Sequence, residues 1–230
     1  MLEARHLYKK YNNKEAIKDL NFTVAPGEVF CLLGQNGAGK TTTINIFLGL
    51  IDPTSGDALI DNTSVVENKE MLNSVAYIPE TVQLYANLSG LENLDFFSRL
   101  AGFKYSNAEL SALLNQANLQ SEAHSEKLAS YSKGMRQKVG IAIALAKKAS
   151  YILMDEPTSG LDPNASVEFA KTCKELASNG VGIFMATHDI FNAVNIGSRI
   201  GIMKDGTLVH TAETTEITAQ ELQDLYIKTI

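Results

Sequence analysis

Val29-Phe30-Cys31-Leu32-Leu33-Gly34-Gln35-Asn36-Gly37-Ala38-Gly39-Lys40-Thr41 is the stretch on which the reading of this chain turns. Its second part, Gly34–Thr41, satisfies the phosphate-binding pattern G-x-x-x-x-G-K-[S/T] at every fixed position. The apolar run in front predicts a buried strand. Behind it, Ile44, Phe47, Leu48 and Ile51 recur at i, i+3, i+4 and i+7, which predicts a helix continuing to that point. Gly34, Gly37 and Gly39 let the backbone turn sharply and approach an oligophosphate without a Cβ in the way. The N–H groups of Asn36, Gly37, Ala38, Gly39, Lys40, Thr41 and Thr42 would then point at the phosphates, and the helix N-terminus adds positive potential. Lys40 supplies a point charge for the β- and γ-phosphates, and Thr41 a hydroxyl for Mg²⁺.

The whole chain sets bounds on this reading. Its 230 residues, 45% apolar and 20% charged, suit one large domain or a core with a small lobe. A net charge of -6 and short, interrupted basic clusters such as Lys133-Arg136-Lys138 argue against nucleic acid as the main partner. No apolar run reaches the ~20 residues that span a bilayer, and no signal segment opens the chain. Cys31 and Cys173 lack metal-ligand spacing and read as buried free thiols.

Before the phosphate loop, short strands are expected at Leu2–Leu7, Ala16–Leu20 and Phe22–Val24, with turns at Tyr11–Lys14 and Pro26-Gly27. After it, Asp52–Gly56 reads as a turn and Leu59-Ile60 as a short strand. These pieces predict an antiparallel layer beside the loop. Ser89-x-x-Glu92 and Ser106-x-x-Glu109 are capping boxes, so residues 85–148 read as helices inserted into an α/β chain. Val75–Ile78, Tyr151–Met154, Val181–Ala186 and Ile200–Met203 are short apolar runs expected in a sheet covered on both faces. A helix is expected over 165–178, a hairpin at Asp205-Gly206, and a last helix capped by Thr218 and Glu221. The fold class predicted is α/β: a phosphate-loop NTPase core with a mainly parallel sheet, a small antiparallel β layer and a helical lobe. Residues 1–84 and 149–230 form the core and layer, and 85–148 the lobe, within a single domain.

Met154-Asp155-Glu156-Pro157 closes a buried strand with two acids. A carboxylate there can reach the metal that bridges the phosphates, and its neighbour can face the attacking water. Tyr131-Ser132-Lys133-Gly134-Met135 lies between this pair and the loop and precedes an apolar helix over Val139–Ala146, with Ser132 a good N-cap.

In this order the motifs resemble the ATP-binding subunit of ABC transporters, and the resemblance runs from Tyr11 to His210. Asp155-Glu156 is similar to the Walker B pair, with Asp155 on the metal and Glu156 as general base. Tyr131–Met135 is similar to the signature motif, whose common form is LSGGQ. Three of the five positions differ, while Ser132 and Gly134, implied to touch the γ-phosphate across a dimer, are kept. Ser159-Gly160-Leu161-Asp162 resembles the D-loop at the dimer interface. His188 resembles the switch histidine on the γ-phosphate. Tyr11 stands where the family stacks an aromatic on adenine, with Tyr8 a weaker candidate. Glu80 stands where the family has the Q-loop glutamine. Either side chain offers an oxygen to Mg²⁺, but Glu adds negative charge beside the γ-phosphate, so nucleotide affinity should depend more steeply on Mg²⁺.

The resemblance therefore implies a Mg²⁺-dependent ATPase in which two copies sandwich two ATP molecules as a homodimer or pseudo-dimer. It implies a separate transmembrane permease and a place on the cytoplasmic face of the cell membrane. The form of the signature and Ile78-Pro79-Glu80 resemble exporter-type chains. Two other readings carry less. A soluble ABC ATPase acting on ribosomes or DNA usually has two cassettes or a long coiled-coil insertion, and neither is present here. A regulatory module without turnover would not need Lys40, Asp155, Glu156 and His188 together.

Overall fold

The computed structural model describes residues 1–230. Its central sheet has six strands: β3 (Val29–Leu33), β6 (Val75–Ile78), β7 (Tyr151–Asp155), β8 (Gly182–Thr187), β9 (Arg199–Lys204) and β10 (Thr207–Glu213). Their order is β10-β9-β3-β8-β7-β6. All pair in parallel except β10, which returns antiparallel to β9 through the two-residue turn Asp205-Gly206. Both turn residues have positive φ, 48° and 86°, as a tight hairpin of this twist requires.

The parallel strands read as unbroken apolar runs because both of their faces are covered. Val29, Cys31 and Leu33 of β3 join one apolar cluster with Ile183 and Met185 of β8 and Ile152 and Met154 of β7. Phe30 and Leu32 join another with Phe184, Ala186, Tyr151 and Leu153. Successive side chains thus alternate between two cores.

The second core is closed by a four-stranded antiparallel sheet, order β2-β1-β4-β5, made of β1 (Leu2–Tyr11), β2 (Lys14–Val24), β4 (Ser55–Ile60) and β5 (Thr63–Ser64). Helix α1 (Lys40–Phe47) packs between the two sheets through Ile44, Ile46 and Phe47. Phe22 of β2 stacks on Phe30 and Phe184 at centroid distances of 5.3 and 5.2 Å. The first core is closed by α4 (Lys133–Ala146) and α5 (Pro163–Ser178), with α2 (Gly90–Leu100) and α3 (Asn107–Gln116) beyond α4. The same apolar cluster runs without a break from β3 through Val139 and Ile141 of α4 to Leu94, Leu110 and Leu114. The helices over 85–148 therefore share a core with the sheet.

Several expected boundaries are corrected. The two short strands expected at Ala16–Leu20 and Phe22–Val24 are the single strand β2, bent where Asp19 takes φ 48°. β1 continues past Leu7 to Tyr11, and β4 begins inside the expected Asp52–Gly56 turn, at Ser55. α1 ends at Phe47, not near Ile51, because Gly49 turns left-handed at φ 62°. Ile51 still packs against the same core from outside the helix. α4 starts six residues before the expected Val139, since Ser132 caps it. α5 starts at Pro163, capped by Asp162, and a short helix α6 (Ile190–Ile196) follows β8 unannounced by any periodicity. The capping boxes at Ser89, Ser106 and Thr218 are all present, the last opening α7 (Ala219–Thr229).

A cleft between two strand ends

The C-terminal ends of β3 and β7 open on one cleft of about 320 Å³, lined by Tyr11, Lys14, Ala16, Gln35–Gly37, Gly39–Thr42, Glu80, Asp155 and Glu156. Sequence reading had placed Tyr11, Asn36, Gly37, Gly39, Lys40, Thr41, Thr42, Glu80, Asp155 and Glu156 at one site, and the fold brings them together. Tyr8 is not among the lining residues. Gln35, Lys14 and Ala16 line it too; an unspecified position in the motif carried no signal for the first, and the β1–β2 hairpin brings in the others.

The loop follows the backbone of its neighbours closely. A Cβ on Gly34 would lie 2.6 Å from the Met203 carbonyl oxygen. One on Gly39, at φ 114°, would lie 2.5 Å from the Ala16 carbonyl oxygen. Only glycine fits either position. Gly39 precedes α1, so the first-turn amides of that helix face the cleft with no side-chain cap occupying them. The Lys40 ammonium is buried and donates to the Gly34 carbonyl at 2.6 Å and the Gln35 carbonyl at 3.3 Å. A buried cation beside the uncapped amides that open α1 suits an anion.

Two acids stand opposite. Thr41 Oγ1 donates to Asp155 Oδ2 at 2.9 Å. Burial pushes the Asp155 carboxyl above the usual carboxylate range, and the charges of Glu156 and Glu80 add to this against the Thr41 hydroxyl and Lys40. A hydroxyl and a carboxylate that resists ionisation, side by side, fit a divalent cation. No group of three or more acidic, His or Cys side chains could hold an ion by itself. A metal here would therefore share phosphate oxygens with Thr41 and Asp155.

Glu156 leaves β7 in a left-handed conformation, φ 46°, fixed by its N–H donating to the Ala186 carbonyl at 2.9 Å. A non-glycine residue held there is strained, and such strain is concentrated at functional turns. Its Oε2 lies 2.8 Å from His188 Nδ1 and accepts from the His188 backbone N–H at 3.2 Å. Its Oε1 is buried, 3.6 Å from Lys40 Nζ, and has no hydrogen-bond partner in the protein. The carboxylate is oriented by one oxygen, and the other is enclosed beside the Lys40 ammonium. His188 was expected on the γ-phosphate; in this structure its Nδ1 is committed to Glu156.

The remaining expected residues lie outside the cleft. Ser132 is exposed and caps α4, accepting from the Met135 N–H at 3.2 Å, with Gly134 beside it. Asp162 is exposed and caps α5, accepting from the Ala165 N–H at 3.0 Å. Ala38 is buried, and its N–H, expected on the phosphates, instead donates to the Gln35 carbonyl at 3.1 Å, closing a turn of the loop. Gln137 of α4 went unnoticed in the sequence, because a lone Gln in a helix carries no pattern. It is buried, and its amide points at the carbonyls of Pro157, Glu80 and Pro79 at 3.1, 3.2 and 3.3 Å. It thereby ties the ends of β6 and β7 to α4.

Comparison with known proteins gives the same answer from another direction. Residues 17–159 match the family model described as ABC transporter. The chain is 35% identical over 211 residues to the bacitracin transport ATP-binding protein of Bacillus licheniformis, covering 91% of this chain and 68% of that one. It is 31% identical over 220 residues to the linearmycin resistance ATP-binding protein of Bacillus subtilis, covering 94% and 70%. A solved ATP-binding cassette, dimeric in a post-hydrolysis state with ADP and Pi, superposes with a TM-score of 0.81 at 27% identity, covering 93% of this chain and 99% of that one.

Proposed function

This chain belongs to the ABC transporter family and is an ATP-binding, ATP-hydrolysing subunit, and from that premise we propose that it drives export of a solute through a permease on a separate chain. Relatives named for bacitracin transport and linearmycin resistance support the outward direction. Those relatives are themselves named as ATP-binding proteins, which supports a permease supplied by another chain. The subunit would then sit on the cytoplasmic face of the cell membrane.

The observation that carries the catalytic reading is the state of Glu156. One of its oxygens is pinned by His188, and the other is buried and unpartnered beside Lys40. An acceptor so oriented can take the proton of a water attacking in line on the γ-phosphate. His188 positions that base, and its Nε2 remains for the phosphate. Lys40 and the loop amides carry the charge of the phosphates, and low exposure strengthens each of these interactions. Tyr11 stacks on adenine. Mg²⁺ held by Thr41 and Asp155, with Glu80 in reach of the same cleft, would neutralise phosphate charge.

Ser132 and Asp162 are exposed, Gly134 is half-buried, and none of the three lines this cleft, so their role requires a second cassette, identical or homologous. Each copy would then complete the other's site. Glu156→Gln keeps the shape of the side chain and removes the base. It should retain ATP binding, lower steady-state hydrolysis by about 10²–10⁴-fold, and accumulate an ATP-bound dimer in light scattering. Hydrolysis at the parent rate would remove Glu156 from this role. Copurification of a hydrophobic chain from membranes tests the permease, and a purely soluble pool would count against it.

A further inference from the structure

Glu80 lines the cleft, yet its carboxylate is engaged elsewhere. The Ser159 hydroxyl donates to Oε1 at 2.9 Å, and the Lys133 ammonium stands 3.9 Å from the same oxygen. That ammonium lies over the Ser159-Gly160 segment: a Cβ on Gly160 would come within 3.8 Å of it. Lys133 is the first residue of α4, and Gln137, four residues on, reaches the Glu80 carbonyl. Residues i and i+4 share a helix face, so α4 holds Glu80 by its backbone with one residue and by its charge with the other. We propose that Lys133 is a positioning residue for Glu80. With Ser159, it fixes the carboxylate at the head of α4 and sets a positive charge against it.

Two of the departures from the common motifs, Glu80 and Lys133, serve one contact on this account. A glutamine at position 80 would have no charge for Lys133 to hold, and a glycine at 133 would have no charge to hold Glu80. The pair is partly exposed, with side chains 56% and 30% accessible, so it can part readily. Release of Lys133, by movement of α4 relative to β6 and β7, adds a carboxylate to the groups facing the nucleotide. The Lys133–Glu80 contact would thereby set how tightly the cleft takes a divalent cation with its nucleotide. This rests on the reading of the cleft as the ATP site.

The test is the Mg²⁺ concentration for half-maximal binding of a fluorescent methylanthraniloyl-ATP, measured without turnover, in the parent, Lys133→Ala, Lys133→Arg, Glu80→Gln and the Glu80→Gln/Lys133→Ala double variant. Lys133→Ala should lower the half-maximal Mg²⁺ by about three- to tenfold, the scale of one added charge near the ion at low salt. Lys133→Arg should stay within about twofold of the parent. In the Glu80→Gln background, Lys133→Ala should change nothing beyond about twofold. An equal shift in both backgrounds would mean that Lys133 acts by its own charge, and no shift in either would mean that the contact has no consequence; each overturns the proposal. A parent that binds no nucleotide at any Mg²⁺ would overturn the ATP-site reading, and this inference with it. Matching melting temperatures among the variants ensure that the comparison is made on folded protein.

Discussion

Replacing Gln137 by Met should loosen the catalytic loops while leaving both cores intact. The Gln137 amide is buried and points at three carbonyl oxygens at 3.1–3.3 Å, on Pro157, Glu80 and Pro79. Two N–H groups satisfy two carbonyls at a time. Leaving unmatched the buried Pro157 carbonyl and one of the part-buried carbonyls of Pro79 and Glu80 costs at most about 1–3 kcal/mol each. Met also removes Gln137 Oε1, which is buried without a partner, and this returns about 1–3 kcal/mol. The net loss is about 1–3 kcal/mol, and at this chain length about 2 kcal/mol lowers the melting temperature by roughly 4–8 °C. Because the lost bonds join the ends of β6 and β7 to α4, amide hydrogen exchange should rise at 80–82 and 158–160 and stay unchanged in β3 and β8. Gln137→Glu should be worse, since an ionised carboxylate would face three carbonyls. Its proton would be held in the folded state and its pKa raised there, so its deficit should grow as pH rises. A Met variant that melts within about 1 °C of the parent with unchanged exchange at 80–82 would refute the assigned role of this side chain.

Two further outcomes follow from the cleft. Asp155 ionises at higher pH in the folded chain than in the unfolded one, because of burial and then of Glu156 and Glu80. A raised folded pKa means that the folded state holds the proton more tightly, so parent stability falls as pH rises through that pKa. Asp155→Asn should therefore gain on the parent in metal-free melts from acid to neutral pH, and lose that advantage when Mg²⁺ and ATP are added; a gap independent of pH would contradict this. Gly39→Ala places a Cβ at 2.5 Å from the Ala16 carbonyl oxygen with φ at 114°, so the loop must shift. Loss of about 2–4 kcal/mol of stability is expected, with at least about a tenfold loss of nucleotide affinity by titration calorimetry, and parent-like affinity would show that the close approach is relieved without cost.

Much of the site was legible because its chemistry is written in runs of adjacent residues. The pair Asp155-Glu156 and the caps at Ser89, Ser106 and Thr218 each act within four residues, and the loop Gly34–Thr41 within eight, so local letters report local geometry. Glu80 was legible as a residue but not as a contact, since neither Lys133 nor Ser159 is near it in the chain. The length of α1 was misjudged for a related reason. Ile51 keeps the helical spacing and reaches the core, but Gly49 has already ended the helix.

Sequence alone determined that this chain has a phosphate loop between a strand and a helix, that its middle strands are covered on both faces, and that two acids follow one of them. Those properties depend on residues a few positions apart and on apolar periodicity, which the chain carries openly. Tertiary structure decided the rest. The order β9-β3-β8-β7 sets the ends of β3 and β7 beside the intervening strand β8, so that Thr41 meets Asp155 and His188 meets Glu156. It also turned Glu80 toward Lys133 and left Ser132 and Gly134 outside the cleft. These pairings join residues 32 to 114 positions apart. They exist because burying both faces of one sheet fixes which strand ends lie side by side, and no local pattern records that choice.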